Sequence, residues 1–258
     1  MDVTTVLQDL LDEQQVLDDI MAPLADTDWA KQSPSPGWTV GDQIGHLTYF
    51  DATAAQAITD PDAFKDSVAA LFGQEIDVDE LTLGAYRAMS PSELLEAWRA
   101  NRRLLASAGA TLENDTRVPW YGPSMGAKSF LTARLMEAWA HGQDIVDTIG
   151  VERSGSDRLR HVAQIGFITR GWSYINRGET PPDEPVRAEL VAASGETWTL
   201  GPEDATESVV GTALDFCLVV TQRRHLDDTD LVTSPVARDW LVRAQAFAGP
   251  PTERPASA

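Results

Sequence analysis

Apolar residues recur every three or four positions in four long segments of the first half of the chain, and this spacing predicts amphipathic helices. The first segment carries its apolar residues at Leu7, Leu10, Leu11, Leu17, Ile20, Met21 and Leu24. The other three segments are SPGWTVGDQIGHLTYFDATAAQAI, SPSELLEAWRANRRLLASAG and LTARLMEAWAHGQDIVDTIG. Ser90 and Pro91 are typical of a helix start, and Gly109 is typical of a helix end. Four such segments favour a four-helix bundle.

The pattern changes after residue 152. The segment DRLRHVAQIGFITRGWSYIN predicts one helix, and prolines and glycines then interrupt the periodicity. The segments VRAELVAA and ETWTLG are rich in β-forming residues on either side of Ser194 and Gly195, which predicts a β-hairpin. The segments GTALDFCLVVTQRR and PVARDWLVRAQAFAG predict two further helices. We therefore expect an α+β protein, with a four-helix bundle in residues 1–152 and a smaller α+β domain in residues 153–258.

The charge balance limits the partners that the chain can have. Its 20 Lys and Arg residues stand against 40 Asp and Glu residues, which gives a formal net charge of −20. A surface of this kind repels duplex DNA and anionic membranes, so we expect neither as a partner. No apolar run approaches membrane-spanning length, and the first residues, MDVTTVLQDLLDEQQ, are acidic where a signal peptide is basic. We therefore expect a cytoplasmic protein.

The chain contains a single cysteine, Cys217, which excludes an internal disulfide. Cys217 lies in the apolar run ALDFCLVV and has no neighbouring base. A thiol in such surroundings packs in the core rather than acting as a nucleophile. Any thiol chemistry must therefore use a thiol from outside the protein.

Glu137 and His141 lie four residues apart in the fourth helical segment, so both side chains project from one face of a helix. This is a spacing that metal ligands use. The same polar strip comprises Arg134, Glu137, His141, Asp144 and Thr148. A second polar strip lies elsewhere on the helix, and an ordinary surface helix needs only one. One strip is therefore either buried, with its charged residues in a functional site, or part of a wide solvated face.

A third ligand has to come from another segment, and His46 is the best-placed histidine. Thr39 can cap the second helix, with Asp42 three residues later, and His46 then falls at the edge of the apolar stripe. The side chain is either a metal ligand or a half-buried histidine with a hydrogen-bonded neighbour. Asp51 lies within the stripe, where a lone carboxylate is costly. We expect it to be hydrogen-bonded inside the bundle, to a metal ligand or to Arg134.

The connector TLENDTRVPWYGPSMGAKS is long, rich in turn residues and aromatic, which is unusual for a bundle unless the connector covers something. Trp120 and Tyr121 either form one wall of a pocket or pack the loop against the helices. Arg223 and Arg224 close the predicted helix GTALDFCLVVTQRR, where basic residues often pair with the helix dipole.

Two of these motifs resemble a known family. The segments PGWTVGDQIGHL and RLMEAWAHGQDI resemble the DinB-like metal-binding bundle in the form found in mycothiol-dependent maleylpyruvate isomerase and its actinobacterial relatives. The later segments GTALDFCLVVTQRRHLDDTDL and RAQAFAGPP resemble a further actinobacterial branch of that superfamily. The resemblance implies that His46, Glu137 and His141 bind one divalent metal ion, usually zinc. It also implies that mycothiol supplies the external thiol.

Two histidines and one carboxylate suit a catalytic zinc ion with at least one open coordination position. Zinc at such a site deprotonates a bound thiol, and the thiolate can then isomerise an activated alkene or displace a leaving group. The residues leave both reactions open. Asp144 either orients the ligands, acts as a base or is simply solvated. We expect three further residues to contribute to cofactor binding: Trp120, Tyr121 and Arg134.

In the isomerase relatives an arginine of the second domain takes part in catalysis, and its best positional match in this chain is Arg223. By this resemblance we expect Arg223 to bind an anionic group of a substrate between the two domains. His161 and His225 have no partner at metal-ligand spacing and are expected to be structural or surface residues.

The sequence thus predicts a zinc- and mycothiol-dependent transferase or isomerase that acts on a small electrophile as a monomer or homodimer. A protein of another class, which binds the metal or a small ligand without catalysis, has the same ligand set. A metal-assisted hydrolase is a third interpretation, because the same site can activate water.

Overall fold

The computed structural model describes residues 2–71 and 77–253 of the chain. The chain divides into two compact units, Met1–Glu152 and Arg153–Ala258. The described part of the first unit is mainly helical, and that of the second combines helices with a four-stranded sheet. The predicted α+β class, with a helical bundle before a smaller α+β region, is confirmed.

Four long helices form the bundle. They are α1 (Val3–Met21), α3 (Val40–Thr59), α6 (Pro91–Gly109) and α7 (Ala127–Ile149). Helices α1 and α3 each contact both α6 and α7, so the four helices enclose one core. Leu17, Ile44, Trp98 and Ile145 contribute one buried residue from each helix to a hydrophobic cluster. Burial of these apolar residues is what the three- and four-residue spacing predicted.

Helix α3 carries His46, and a capping box fixes where this helix begins. The Thr39 hydroxyl accepts a hydrogen bond from the Asp42 backbone N–H, and the Asp42 carboxylate accepts one from the Thr39 N–H at 2.8 Å. This reciprocal pair is a capping box, and the predicted cap is confirmed. Helix α6 begins in the same way, with Ser90 at the cap, Pro91 in the first turn and Glu93 closing the box.

Shorter elements connect the bundle helices. They are α2 (Asp26–Trp29), α4 (Pro61–Leu71), α5 (Val78–Arg87), β1 (Arg117–Val118) and β2 (Met125–Gly126). Strands β1 and β2 pair antiparallel, so the aromatic connector is a small hairpin with Trp120 and Tyr121 near its tip. The strand pairing brings the two ends of this connector together.

The sheet of the second unit has the strand order β4-β3-β5-β6. Its strands are β3 (Val186–Val191), β4 (Thr197–Leu200), β5 (Glu207–Thr212) and β6 (Val232–Thr233). Strands β3 and β4 form the predicted hairpin, and Gly195 in its turn has a φ of 86°, a conformation that glycine adopts without strain. Strand β5 runs parallel to β3 and was not predicted, because its pairing partner lies about twenty residues earlier in the chain.

The helices of the second unit are shorter than their sequence patterns predicted. They are α8 (Leu159–Ile168), α9 (Arg170–Ile175), α10 (Ala213–Val220), the 3₁₀ helix Leu226–Asp228 and α11 (Pro235–Leu241). The predicted single helix over residues 157–176 is wrong, because the backbone leaves helical geometry at Thr169. Helix α10 contacts α8, β3 and β5, and it buries Cys217.

Burial raises the pKa of the Cys217 thiol well above its ordinary value, as expected for a packing residue. Within the described residues, no helix is long and apolar enough to span a membrane.

Candidate metal centre

His46 on α3 and Glu137 and His141 on α7 converge inside the bundle unit. One ligand atom from each of the three side chains lies within 4.8 Å of the other two. His46 Nε2 is 3.4 Å from Glu137 Oε2, and His141 Nε2 is 3.1 Å from the same oxygen. Two ligand atoms that each lie about 2.1 Å from a tetrahedral zinc ion stand about 3.4 Å apart. The two nitrogen-to-oxygen separations therefore match this spacing, and the three side chains form a group that could hold a metal ion.

The protonation states also suit a metal site. Burial lowers the pKa of His46 to about 4, and the neighbouring His141 acts in the same direction against the opposing effect of Glu137. Burial alone would raise the pKa of Glu137, but its contacts with His141 and His46 outweigh this effect and hold that pKa well below the ordinary value. A neutral imidazole and an ionised carboxylate are the forms that bind zinc.

Gln43 holds the far side of the His141 ring. Its side chain is 0% exposed, and its Oε1 contacts His141 Nδ1. The Gln43 Nε2 group donates hydrogen bonds to Ser33 Oγ at 2.9 Å and to Ser35 Oγ at 3.0 Å. Sequence reasoning missed Gln43. The available signal was its position three residues before His46, which puts both side chains on the same side of α3.

Asp144 lies one turn beyond His141 and is only 4% exposed, so the interpretation of this residue as a solvated carboxylate is wrong. Its Oδ2 lies 3.4 Å from Ser35 Oγ, and the serine hydroxyl donates to it. Arg134 and His141 are buried on the same helix. The polar strip of α7 therefore faces the bundle interior over much of its length, and a wide solvated face is excluded for these three residues.

Aromatic rings surround the two histidines. The centroid of His46 lies 4.5 Å from that of Phe50 and 5.2 Å from that of Trp38. Trp38 also stacks against His141, with an interplanar angle of 18°. Trp120 and Tyr121 both contact Phe50, with centroids 6.2 and 5.9 Å away. Trp120 also contacts Phe64 and Phe130, so its ring packs the loop against the helices. These aromatic rings reach His46 through Phe50, a residue that the sequence pattern did not single out.

Asp51 is paired inside the bundle, as predicted. Its Oδ1 accepts a hydrogen bond from Arg134 Nη2 at 3.2 Å. Its Oδ2 accepts from Gln14 Nε2 at 2.9 Å and from Trp98 Nε1 at 3.3 Å. Burial raises the pKa of Asp51, although the Arg134 charge opposes this. The guanidinium carbon of Arg134 also lies 5.7 Å from the Phe50 ring centroid, which links this ion pair to the aromatic rings around His46.

The remaining sequence candidates lie in the second unit. Arg223 follows α10, and its Nη1 donates to the Thr221 carbonyl oxygen at 2.7 Å. His225 Nδ1 accepts a hydrogen bond from the Asp227 backbone N–H at 3.1 Å and caps the 3₁₀ helix, which is a structural role. His161 is buried. The catalytic assignment of Arg223 stays a prediction.

A helical bundle with a His/Glu/His cluster defines a class of scaffold that could hold a metal ion, and comparison with known sequences identifies the family. The profile described as "Mycothiol maleylpyruvate isomerase N-terminal domain" matches residues 10–146. The chain belongs to this family, as the motifs around His46 and Glu137 predicted. A second profile, described as "Wyosine base formation", matches residues 182–234 in the second unit, and nothing in the sequence pattern predicted that match.

Two proteins of Mycobacterium tuberculosis match almost the whole chain. They are the uncharacterized protein Rv0036c of strain H37Rv and the uncharacterized protein MT0041 of strain CDC 1551. Each is 43% identical over 244 residues, which cover 94% of this chain and 95% of the relative.

Solved structures show a similar fold. The crystal structure of the mycothiol-dependent maleylpyruvate isomerase has a TM-score of 0.62 at 15% identity, over 91% of this chain and 93% of that protein. A histidine-to-alanine mutant of the same enzyme has a TM-score of 0.59 at 16% identity, with the same coverage. At such low identity the likeness establishes the fold and not the reaction.

Proposed function

We propose that this protein is a zinc- and mycothiol-dependent enzyme that isomerises, or transfers sulfur to, a small electrophilic substrate. The convergence of His46, Glu137 and His141, with nitrogen-to-oxygen separations of 3.1 and 3.4 Å, carries the proposal. Membership of a family named for a mycothiol-dependent isomerase supports the choice of thiol. When bound, zinc supplies the charge that keeps the mycothiol sulfur as a thiolate at neutral pH.

The residues of the chain divide the remaining work. His46 and His141 offer imidazole nitrogens, and Glu137 offers a negative oxygen that partly balances the charge of the ion. Trp38 and Phe50 restrict the orientation of the His46 ring and exclude water from one side of it. Trp120 and Tyr121 extend this apolar wall and would contact the bound cosubstrate. In the proposal, Asp144 holds the ligands in orientation through Ser35 or acts as a base.

Arg134 and Arg223 are the proposed cationic groups. Arg134 lies beside Phe50 and would contribute positive potential to cofactor binding. In the proposal, Arg223 binds an anionic group of the substrate by a bidentate contact, which lysine cannot reproduce.

Cobalt substitution tests the proposal directly. With cobalt in the site, we expect titration with mycothiol to add an intense near-ultraviolet charge-transfer band, because sulfur enters the coordination shell. His46→Ala, Glu137→Ala and His141→Ala should each lose most of the metal, as measured by elemental analysis after dialysis. His225→Ala is the matched control and should keep it. Full metal content in all three ligand variants would refute the assignment.

Turnover separates the enzyme from a binding protein. Isomerised product or consumption of mycothiol with activated alkenes or alkyl halides supports catalysis. Saturable mycothiol binding without product from any of these electrophiles would favour the non-catalytic alternative. Hydrolysis without mycothiol would favour water activation at the same site.

A further inference from the structure

Four polar side chains form a hydrogen-bonded chain that ends on His141. Asp144 accepts from the Ser35 hydroxyl, Ser35 accepts from Gln43, and the Gln43 Oε1 contacts His141 Nδ1. Ser33 joins the chain at Gln43. Gln43 is 0% exposed, and a buried amide group needs hydrogen-bond partners within the protein. In the described residues, these partners are Ser33, Ser35 and His141.

The direction of each hydrogen bond follows from the partners at the ends of the chain. The Ser33 hydroxyl donates to the Trp38 carbonyl oxygen at 2.7 Å, and the Ser35 hydroxyl donates to the Asp144 carboxylate. A hydroxyl group has one hydrogen, so both serines can only accept from Gln43. The Gln43 nitrogen must therefore face the serines, and its oxygen must face His141.

An amide oxygen accepts hydrogen bonds and cannot donate them, so the hydrogen between Gln43 and His141 has to be on His141 Nδ1. The lone pair of a neutral imidazole is then on Nε2. This is the His141 atom that lies 3.1 Å from Glu137 Oε2, so in this tautomer a metal ion rather than a proton would join the two atoms.

The loop before α3 is built to hold the two serines in place. The Ser33 N–H donates to the Trp38 carbonyl oxygen at 2.8 Å, and the Trp38 N–H donates to the Ser35 carbonyl oxygen at 3.1 Å. The indole of Trp38 stacks on His141 from the same loop. One short loop, residues 33–38, thus supplies both acceptors of the Gln43 amide group and the ring that covers one face of His141.

We infer that Gln43 is a positioning residue that holds His141 in the Nδ1–H tautomer, with Nε2 free to bind the metal. This inference rests on the metal site of the proposed function and extends it to a residue outside the ligand set. Gln43 is neutral, so it orients the ring without adding a second negative charge near the ion. The ion then keeps more of its positive charge for the sulfur of the cosubstrate than it would beside a carboxylate.

Zinc affinity and the histidine tautomer test this role without an activity assay. Gln43→Met keeps the approximate size of the side chain and removes the acceptor, so we expect zinc affinity to fall about 10- to 100-fold in competition with a chromophoric chelator. Gln43→Glu restores an acceptor for His141 Nδ1 but cannot donate to the serines. Its affinity should lie between those of the wild type and Gln43→Met. In the zinc-loaded wild type, long-range ¹H–¹⁵N spectra should show His141 protonated at Nδ1.

Thr48→Val is the matched control. Thr48 lies on the same helix, is fully buried, and donates its hydroxyl to the Ile44 carbonyl oxygen rather than to the centre. It should lose some stability and keep its zinc affinity.

Each contrary result has its own meaning. A wild type that binds neither zinc nor cobalt would overturn the metal site and this inference together. Wild-type zinc binding with an equal affinity in Gln43→Met would overturn the inference alone. His141 protonated at Nε2 in the zinc-loaded wild type, or Gln43→Glu binding no better than Gln43→Met, would also overturn it.

Discussion

Asp51 and Arg134 form a buried ion pair on the two helices that carry the proposed metal ligands. Their side chains are 2% and 5% exposed, and their closest atoms are 3.2 Å apart. A buried pair of this kind contributes little net stability, but removing one charge leaves the other without compensation. The pair therefore constrains the register of α3 against α7, which also sets the distance between His46 and Glu137.

We predict that Asp51→Asn lowers the free energy of unfolding by about 3 kcal/mol, because the Arg134 charge remains buried without its counterion. Zinc affinity should fall as well, since α3 and α7 lose part of their alignment. Urea denaturation and chelator competition measure the two effects. Asp62→Asn, at a highly exposed side chain, is the control and should change neither. If Asp51→Asn matched the wild type in both, the ion pair would have no role in the site.

At the same scale, the sequence could place the two proposed ligands of α7 on one face, because Glu137 and His141 are four residues apart on one helix. His46 was predictable only as an edge position, since its pairing with Glu137 depends on how α3 packs against α7. Gln43 could be placed on the same side of α3 as His46, but its role and that of Phe50 could not be assigned in advance. The Gln43 amide depends on the loop that contains Ser35 and Trp38, and the Phe50 ring depends on the hairpin that carries Trp120. Neither contact can be read from the sequence of α3 alone.

Among the elements, α1 and α6 are joined by a charged cluster as well as by apolar packing. Asp18 on α1 accepts hydrogen bonds from Arg99 Nη2 at 2.6 Å and from Arg102 Nη1 at 2.7 Å. Burial raises the pKa of Asp18, but the hydrogen bonds and charges of Arg99 and Arg102 outweigh it and hold the pKa below 3.8.

The Asp18 cluster gives a prediction for stability against pH. A carboxyl group whose pKa is lower in the folded state stabilises that state fully above its unfolded pKa, and the stabilisation is lost as the pH falls through the folded pKa. Asp18→Asn should therefore cost about 2 kcal/mol at neutral pH, and the difference should shrink as the pH falls below 3.8. Urea denaturation over this pH range measures it.

Asp19→Asn is the control for this prediction. Asp19 is exposed, and its carboxylate accepts a hydrogen bond from the neutral Gln15 side chain on the same helix. This variant should show little cost at any pH. A cost of Asp18→Asn that did not change with pH would show that the carboxylate charge is not what stabilises the cluster.

Element boundaries were predictable where local chemistry determines them. Thr39 and Asp42, and likewise Ser90 and Glu93, form capping boxes from residues three apart, so α3 and α6 begin where their sequences indicate. The second unit was less predictable. Helix α11 ends at Leu241 although the apolar spacing continues, and β5 pairs in parallel with a strand about twenty residues earlier. Such non-local pairing leaves no local pattern to read.

For the whole molecule, the proposed function uses residues of both compact units. The proposed ligands lie in Met1–Glu152, whereas Arg223 lies in Arg153–Ala258. Zinc alone should stabilise α3 and α7, because it joins side chains of these two helices. The sheet of the second unit contributes no proposed ligand and should respond little.

We predict that zinc slows amide hydrogen exchange in α3 and α7 of the full-length protein and leaves β3 and β5 unchanged at short labelling times. Addition of mycothiol with an anionic electrophile to the zinc-loaded protein should then slow exchange around residues 221–225, because Arg223 binds the anionic group. Exchange measured by mass spectrometry provides the test. Glu137→Gln should abolish the zinc effect, and Arg223→Lys should abolish only the second effect. If the second effect were absent in the wild type, Arg223 would have no part in substrate binding, and the bundle alone would form the site.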